Sequence, residues 1–283
     1  MFRSGVIFSL FIFFVFIFLN NVSYATNNME PKNIQVDSVL LMEPATGRIL
    51  YSLNPTLKIT PASLVKIMTL LVVFDYVNDN KLDISQKITI PLPDKKIAGK
   101  TINLRPGEKI TIEDLIKACA IYSANDAAYE LARFVAGTED KFVDLMNKKA
   151  DSIGLKNTKF YNSHGIPYPG KGDQYSCAID IAKLTGYFCA RHPEILQYTS
   201  RKKDTIRNGA TVIENTNKLL SMRSDITGFK TGYVRSSGYC VVATALNRNV
   251  PIICVIIGAK DENIRFIIAD ELLKYGYDKS GIQ

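Results

Sequence analysis

The sequence predicts an α/β (α+β) protein, in which an antiparallel sheet drawn from both ends of the chain packs against a mostly helical lobe. Three observations predict it. Two strand-like runs open the globular part, and two more close it ahead of a final helix. The long stretch between them reads mainly as helix, and no repeat, Pro/Gly-rich linker or long charge run divides it. If first and last strands pair, the cleft between sheet and helical lobe is the expected site.

The opening strands are Ser38 to Glu43 and Arg48 to Asn54, joined at the turn-forming Pro44-Ala45-Thr46-Gly47. Next comes a helix from about Pro61, with Thr60 as N-cap and Pro61 at the favoured first position. Ser63 then falls in the first turn, near the positive end of the macrodipole. The following run, Leu64-Val65, Ile67-Met68 and Leu70 to Phe74, is apolar nearly all round, the mark of a buried helix. A helix pair from about Glu113 to Ala136 starts at Thr111, with Asp114 three residues on, and its apolar rhythm breaks at Tyr122-Ser123-Ala124-Asn125. Thr205 to Arg207 and Thr211 to Ile213 flank Asn208-Gly209, a strong hairpin signal. The closing strands are Tyr239 to Leu246 and Pro251 to Gly258, turning at Asn247-Arg248-Asn249, and the last helix runs from about Glu262 to Tyr275.

Of the 283 residues, 47% are apolar and 22% charged, which excludes a disordered polymer. Residues 1–25 read as a secretory signal peptide: Arg3, an apolar run from Gly5 to Leu19, then Ser23-Tyr24-Ala25 before Thr26. As a helix that run spans roughly 22 Å, short of a hydrocarbon core of about 30 Å, so cleavage is favoured over an uncleaved anchor. The net charge of +8 comes without an Arg/Lys stripe interleaved with aromatics, and an exported protein has no access to nucleic acid, so no nucleic-acid partner is expected. Cys119, Cys177, Cys189, Cys240 and Cys254 stand beside apolar residues at irregular spacing, which reads as buried free thiols; one bridge stays open. With two histidines, a three-His zinc site is excluded, and no metal site is expected.

Ser63-Leu64-Val65-Lys66 sets a hydroxyl and an amine three residues apart on one helix face. Burial and a second nearby cation disfavour a charged lysine, and a neutral lysine can activate a serine without any histidine. Alone the pattern is weak, since Ser200-Arg201-Lys202-Lys203 repeats it in a segment that reads as solvated. Ser123-Ala124-Asn125 offers a second hydroxyl and an amide at a helix break, where an N-cap is the ordinary reading. Lys230-Thr231-Gly232, the only Lys-Thr-Gly, precedes the penultimate strand, where Gly232 admits a substrate backbone and Lys230 with Thr231 grips a carboxylate; the ordinary reading is a strand-entry turn.

Together, in this order, the three motifs resemble those of the penicillin-recognising serine enzymes. Their neighbourhoods, Pro61 to Thr69, Ser123 to Ala128, Asn162-Ser163-His164-Gly165, Gln174-Tyr175-Ser176 and Gly228 to Tyr233, are similar to the D-alanyl-D-alanine carboxypeptidases among the low-molecular-mass penicillin-binding proteins. The resemblance covers about residues 36 to 277 and implies a β-lactamase/transpeptidase-like fold and no cofactor. It implies that Ser63 attacks the carbonyl between the terminal D-alanines of a peptidoglycan stem peptide, with Lys66 as base, and that water then releases the shortened peptide. Ser123 passes a proton to the leaving amine, and Asn125 orients the substrate amide and Lys66. Lys230 holds the terminal carboxylate and is the second cation that keeps Lys66 neutral; the backbone N–H groups of Ser63 and Tyr233 form the oxyanion hole. Arg265 lies where the family carries an arginine near the substrate carboxylate, a solvated helix charge being the alternative. His164 supports the cleft-bordering loop, and β-lactams are expected as covalent inhibitors. Val234 departs from the family's Thr or Ser at that position. A single catalytic domain over residues 26–283 is expected, without the relatives' C-terminal β-rich module or amphipathic anchor, in the periplasm or at the cell surface. Within the same fold a DD-endopeptidase and a β-lactamase remain alternatives; outside it stands a catalytically silent peptidoglycan-binding relative. The sequence leaves the oligomeric state open.

Overall fold

The computed structural model describes residues 34–92, 97–168 and 174–281; the expected signal peptide lies outside the described residues. In chain order the elements are β1 (Ser38–Met42), β2 (Ile49–Leu53), α1 (Val65–Asp79), β3 (Lys87–Thr89), β4 (Lys109–Thr111), α2 (Ile112–Lys117), α3 (Asn125–Ala136), α4 (Glu139–Ser152) and α5 (Ala178–Arg191). There follow α6 (Leu196–Thr199), β5 (Lys203–Ile206), β6 (Thr211–Glu214), α7 (Leu219–Met222), β7 (Ile226–Val234), β8 (Gly238–Asn247), β9 (Val250–Ala259) and α8 (Ile264–Lys279).

Five strands form an antiparallel sheet in the order β2-β1-β9-β8-β7, so the N-terminal pair enters a sheet that the C-terminal segment builds. β1 meets β9 from Ser38 opposite Ile257 to Met42 opposite Ile253. Alternation splits these strands between two cores. Leu40, Val242 and Val255 face α1 and the helical lobe, while Val39, Leu41, Val241 and Ile256 pack with Phe266, Leu272 and Leu273 of α8. Burial on both faces is why β8 and β9 read as nearly continuous apolar runs.

In α1 every residue from Val65 to Asp75 is buried. Asp75, near its end, accepts from His192 Nε2 at 2.8 Å and Arg191 Nε at 2.9 Å and pairs with Lys149 at 2.8 Å, tying α1 to α4 and α5. Burial opposes ionisation there, yet these partners hold the carboxyl well below the usual carboxylate range. Thr111 caps α2 by accepting from the Asp114 amide at 3.0 Å. A single π turn, Ala118–Tyr122, then carries the chain to Ser123, whose φ of +68° ends it before α3 begins.

Three expectations change. Thr60 does not cap α1: Ser63 sits in a 3₁₀ turn, Ala62–Leu64, with Ala62 at φ +48°, a backbone that an α-helical first turn does not allow. Lys230-Thr231-Gly232 lies inside β7, not at the entry to β8; its two glycines, two threonines and lysine hide a strand that forms the sheet edge. The Asn208-Gly209 hairpin exists as β5–β6, but its connection is four residues long, with Arg207, Asn208 and Gly209 all at positive φ. The β3–β4 hairpin has no counterpart in the sequence reading. All five cysteines are free thiols. Among the described residues no helix is long and apolar enough to cross a membrane, and no cluster of His, Cys, Asp or Glu could hold a metal.

Candidate active site

The 3₁₀ turn lifts Ser63 to the cleft floor, and the first turn of α1 brings Lys66 beneath it. Lys66 Nζ lies 3.0 Å from Ser63 Oγ, 2.7 Å from Asn125 Oδ1 and 2.6 Å from the His164 carbonyl. The Asn125 amide is fixed in orientation, because its Nδ2 donates to Ala98 O at 2.7 Å. From the opposite wall β7 delivers Lys230, whose Nζ donates to Ser123 Oγ at 2.8 Å and Thr231 O at 3.1 Å. Thr231 Oγ1 meets Thr216 Oγ1 at 2.6 Å. A cleft of about 620 Å³ opens over this group, lined among others by Ser63, Lys100, Ser123, Thr231, Tyr233 and Arg265.

Both lysines are fully enclosed. Burial lowers the Lys66 amine to about 8, against upward pulls from Cys119 and Asp126 and with a further downward push from Lys100. Burial, then the charge of Lys66, pushes Lys230 well below the ordinary lysine value. The two lysines repel one another as charged groups, and Lys100, which no motif singles out, is a further cation that disfavours charge on both. Lys100 sits on the cleft wall with its ammonium 3.8 Å over the Tyr122 ring and its carbonyl accepting from Asn125 N at 2.7 Å.

Gly232 brings β7 against the Ser63 turn: a Cβ there would lie 3.3 Å from Ser63 N. Tyr233 is half exposed at the rim, its ring 4.3 Å from that of Tyr239. Arg265 is not a solvated helix charge. It is 5% exposed, and its guanidinium donates to Gly232 O at 3.1 Å and Cys240 O at 3.0 Å, bracing β7 against β8 at the end of the cleft. The His164 ring turns away from Ser63; Nδ1 accepts from Ile166 N at 3.1 Å and Nε2 meets Tyr168 OH at 2.8 Å. The competing Ser-x-x-Lys at Ser200 is exposed and spends its hydroxyl on Leu196 O at 2.7 Å.

Gly165 locks the His164 loop to the Ser63 turn. At φ +97° it presses on Ala62, and a Cβ would stand 1.9 Å from the Ala62 carbonyl oxygen. Gly165→Ala is therefore expected to cost at least about 1–3 kcal/mol in backbone strain, before any clash. Urea unfolding checks this; an unchanged midpoint would contradict the packing.

The family profile of the D-alanyl-D-alanine carboxypeptidases, peptidase family S11, matches residues 25–261. The chain is 33% identical over 248 residues to D-alanyl-D-alanine carboxypeptidase DacF of Bacillus subtilis, covering 87% of this chain and 63% of that protein. It thus spans a little under two thirds of that relative's length. Penicillin-binding protein 5 from Haemophilus influenzae superposes with a TM-score of 0.80 at 31% identity, over 88% of this chain and 73% of that one. Penicillin-binding protein D2 from Listeria monocytogenes, in its cefotaxime-bound form, gives 0.79 at 28% identity, over 86% and 97%. The transpeptidase-like architecture and the profile agree: the chain belongs to the D-alanyl-D-alanine carboxypeptidase family, peptidase family S11.

Proposed function

We propose that this chain is a serine D-Ala-D-Ala carboxypeptidase of the bacterial cell wall, acylated at Ser63 by stem peptides and by β-lactams. One observation carries the reading: the fully buried amine of Lys66 lies 3.0 Å from Ser63 Oγ. Two of its three partners, Asn125 Oδ1 and His164 O, can only accept. The ammonium form donates to all three; in the neutral form that burial favours, the two N–H bonds serve those two acceptors and the lone pair faces Ser63 Oγ. That is the arrangement of a base waiting for the serine proton.

In the proposed reaction Ser63 Oγ attacks the carbonyl carbon of the penultimate D-alanine while Lys66 takes the proton. The N–H groups of Ser63 and Tyr233 stabilise the oxyanion, a role in which one donor is worth about 3 kcal/mol. Ser123, polarised by Lys230, protonates the departing D-alanine nitrogen as the C–N bond breaks. The charge of Arg265, with N–H donation from Lys230 and the Thr231 hydroxyl, draws the terminal carboxylate to this end of the cleft, and Asn125 guides the substrate amide. Water hydrolyses the ester with Lys66 again as base. In a β-lactam the leaving nitrogen stays tethered to the acyl group and can block that water. The two acidic side chains lining the cleft, Glu214 and Glu262, are paired with Lys203 and Lys218, which supports slow deacylation of β-lactams. On this reading residues 26–283 act as one exported catalytic unit.

The test is to incubate the protein with a pentapeptide ending in D-Ala-D-Ala and, separately, with a crosslinked muropeptide dimer. Free D-alanine without dimer cleavage is expected. Dimer cleavage alone would replace the proposal with a DD-endopeptidase, and neither product would leave a silent peptidoglycan binder.

A further inference from the structure

One partner of the catalytic amine is a peptide carbonyl, that of His164, so something must fix the backbone that carries it. The loop from Asn162 to Tyr168 crosses above α1 without regular structure. Thr69 of α1 holds it from below by donating to Ser163 O at 2.6 Å. Within the loop, Asn162 Oδ1 accepts from His164 N at 3.1 Å and Gly165 N at 2.7 Å; from outside it, a buried carboxylate that belongs to no motif, Glu139 at the first position of α4 and 4% exposed, adds a further anchor.

Glu139 grips the loop at both ends. Its Oε1 accepts from Ser163 N at 3.0 Å and Ser163 Oγ at 2.7 Å, directly before His164. Its Oε2 accepts from Tyr168 OH at 3.1 Å. Hydrogen-bond polarity then fixes the link between the two grips. Ile166 N–H can only donate, so His164 Nδ1 carries a lone pair and Nε2 carries the proton. That proton goes to the Tyr168 oxygen, whose own proton goes to Glu139. A carboxylate, with four lone pairs and no proton, is the one end-group that lets every donor in this chain point the same way. Its place in the first turn of α4 suits a negative charge.

We propose that Glu139 is a positioning residue for the general base: by holding Ser163 and, through Tyr168, the His164 ring, it sets the His164 carbonyl against Lys66 Nζ. The proposal rests on the function proposed above. Glu139 does not line the cleft, and its effect reaches the chemistry through the position of the loop. A misplacement approaching 1 Å costs on the order of 100-fold in rate.

Glu139→Gln keeps shape but turns one N–H₂ against a donor, either Ser163 N–H or Tyr168 O–H, and so breaks one grip. Tyr168→Phe deletes only the link to the His164 ring. Penicillin acylation of the full chain, resolved into noncovalent binding and an acylation rate constant, separates positioning from fold. The acylation rate constant is expected to fall about 10- to 100-fold in Glu139→Gln and several-fold in Tyr168→Phe, with binding unchanged within about 2-fold. Folded variants acylating within about 2-fold of wild type would overturn the proposal, as would a fall confined to the unfolding midpoint. Should Glu139→Gln not fold, Tyr168→Phe alone decides. A wild-type chain that takes no penicillin would instead sink the function, and this inference with it.

Discussion

Ser63→Ala is expected to abolish covalent labelling by penicillin and release of D-alanine, because no second group in the cleft can replace the nucleophile. The contrast with Ser123 makes the expectation sharp. The cleft holds two hydroxyl–amine pairs, Ser63 with Lys66 at 3.0 Å and Ser123 with Lys230 at 2.8 Å. Only the first combines a base fixed by two pure acceptors with a serine whose own backbone N–H lies against the glycine of β7. Ser123 stands instead at the end of a π turn, where its hydroxyl can pass a proton but the backbone N–H groups of Ser123, Ala124 and Asn125 are already spent on Ala118 O and Lys100 O. Ser123→Ala should therefore slow acylation while leaving the label on Ser63. Mass spectrometry of the labelled peptide decides. Label at Ser123 in the Ser63→Ala protein would reverse the two assignments.

Lys66→Arg should come close in severity, lowering the acylation rate by about 10²- to 10⁴-fold, the usual worth of a general base. A guanidinium keeps the charge but cannot give up its proton. The wild-type pH profile follows from the same lysine. Burial brings Lys66 to about 8, so below that pH the amine is increasingly protonated and cannot accept the Ser63 proton. The rate constant kcat/KM should fall about tenfold per pH unit on the acid side and level off as pH rises through 8. The variant should lack that limb. An acid limb near 8 that survives Lys66→Arg would assign it to another group.

Legibility in the sequence tracked burial. β1, β8 and β9 are buried on both faces and announce themselves as apolar runs, and α1 does so as a helix apolar all round. β7 was hidden because Ile226–Val234 serves the cleft along its edge, and its glycines, threonines and lysine are chosen for that service. The Ser63 turn departs from the helix its sequence predicts for a related reason. Thr60-Pro61 is a good helix start, but Gly165 and Gly232 both press on Ala62 and force a tighter turn, which only tertiary packing reveals. The motif residues Ser63, Lys66, Ser123, Asn125 and Lys230 come together from three separate stretches of the chain. Lys100, Glu139 and Tyr168 belong to no spacing pattern, since each acts through a neighbour, so nothing in the linear sequence marks them.

The entry of β1 between β2 and β9 also sets when the molecule can fold. Ser38 must find Ile257, a partner roughly 200 residues later, and the edge that serves the active site hangs from the same late strands. At about 5–20 residues per second, synthesis alone makes β1 wait roughly 10–40 s for its neighbour. During that time β1 and β2, whose pairing gives a hairpin too small to be stable alone, expose apolar faces on both sides. Non-local pairing of this kind is slow and prone to aggregation. A chain that ends short of β9 therefore cannot complete the sheet whose edge serves the site.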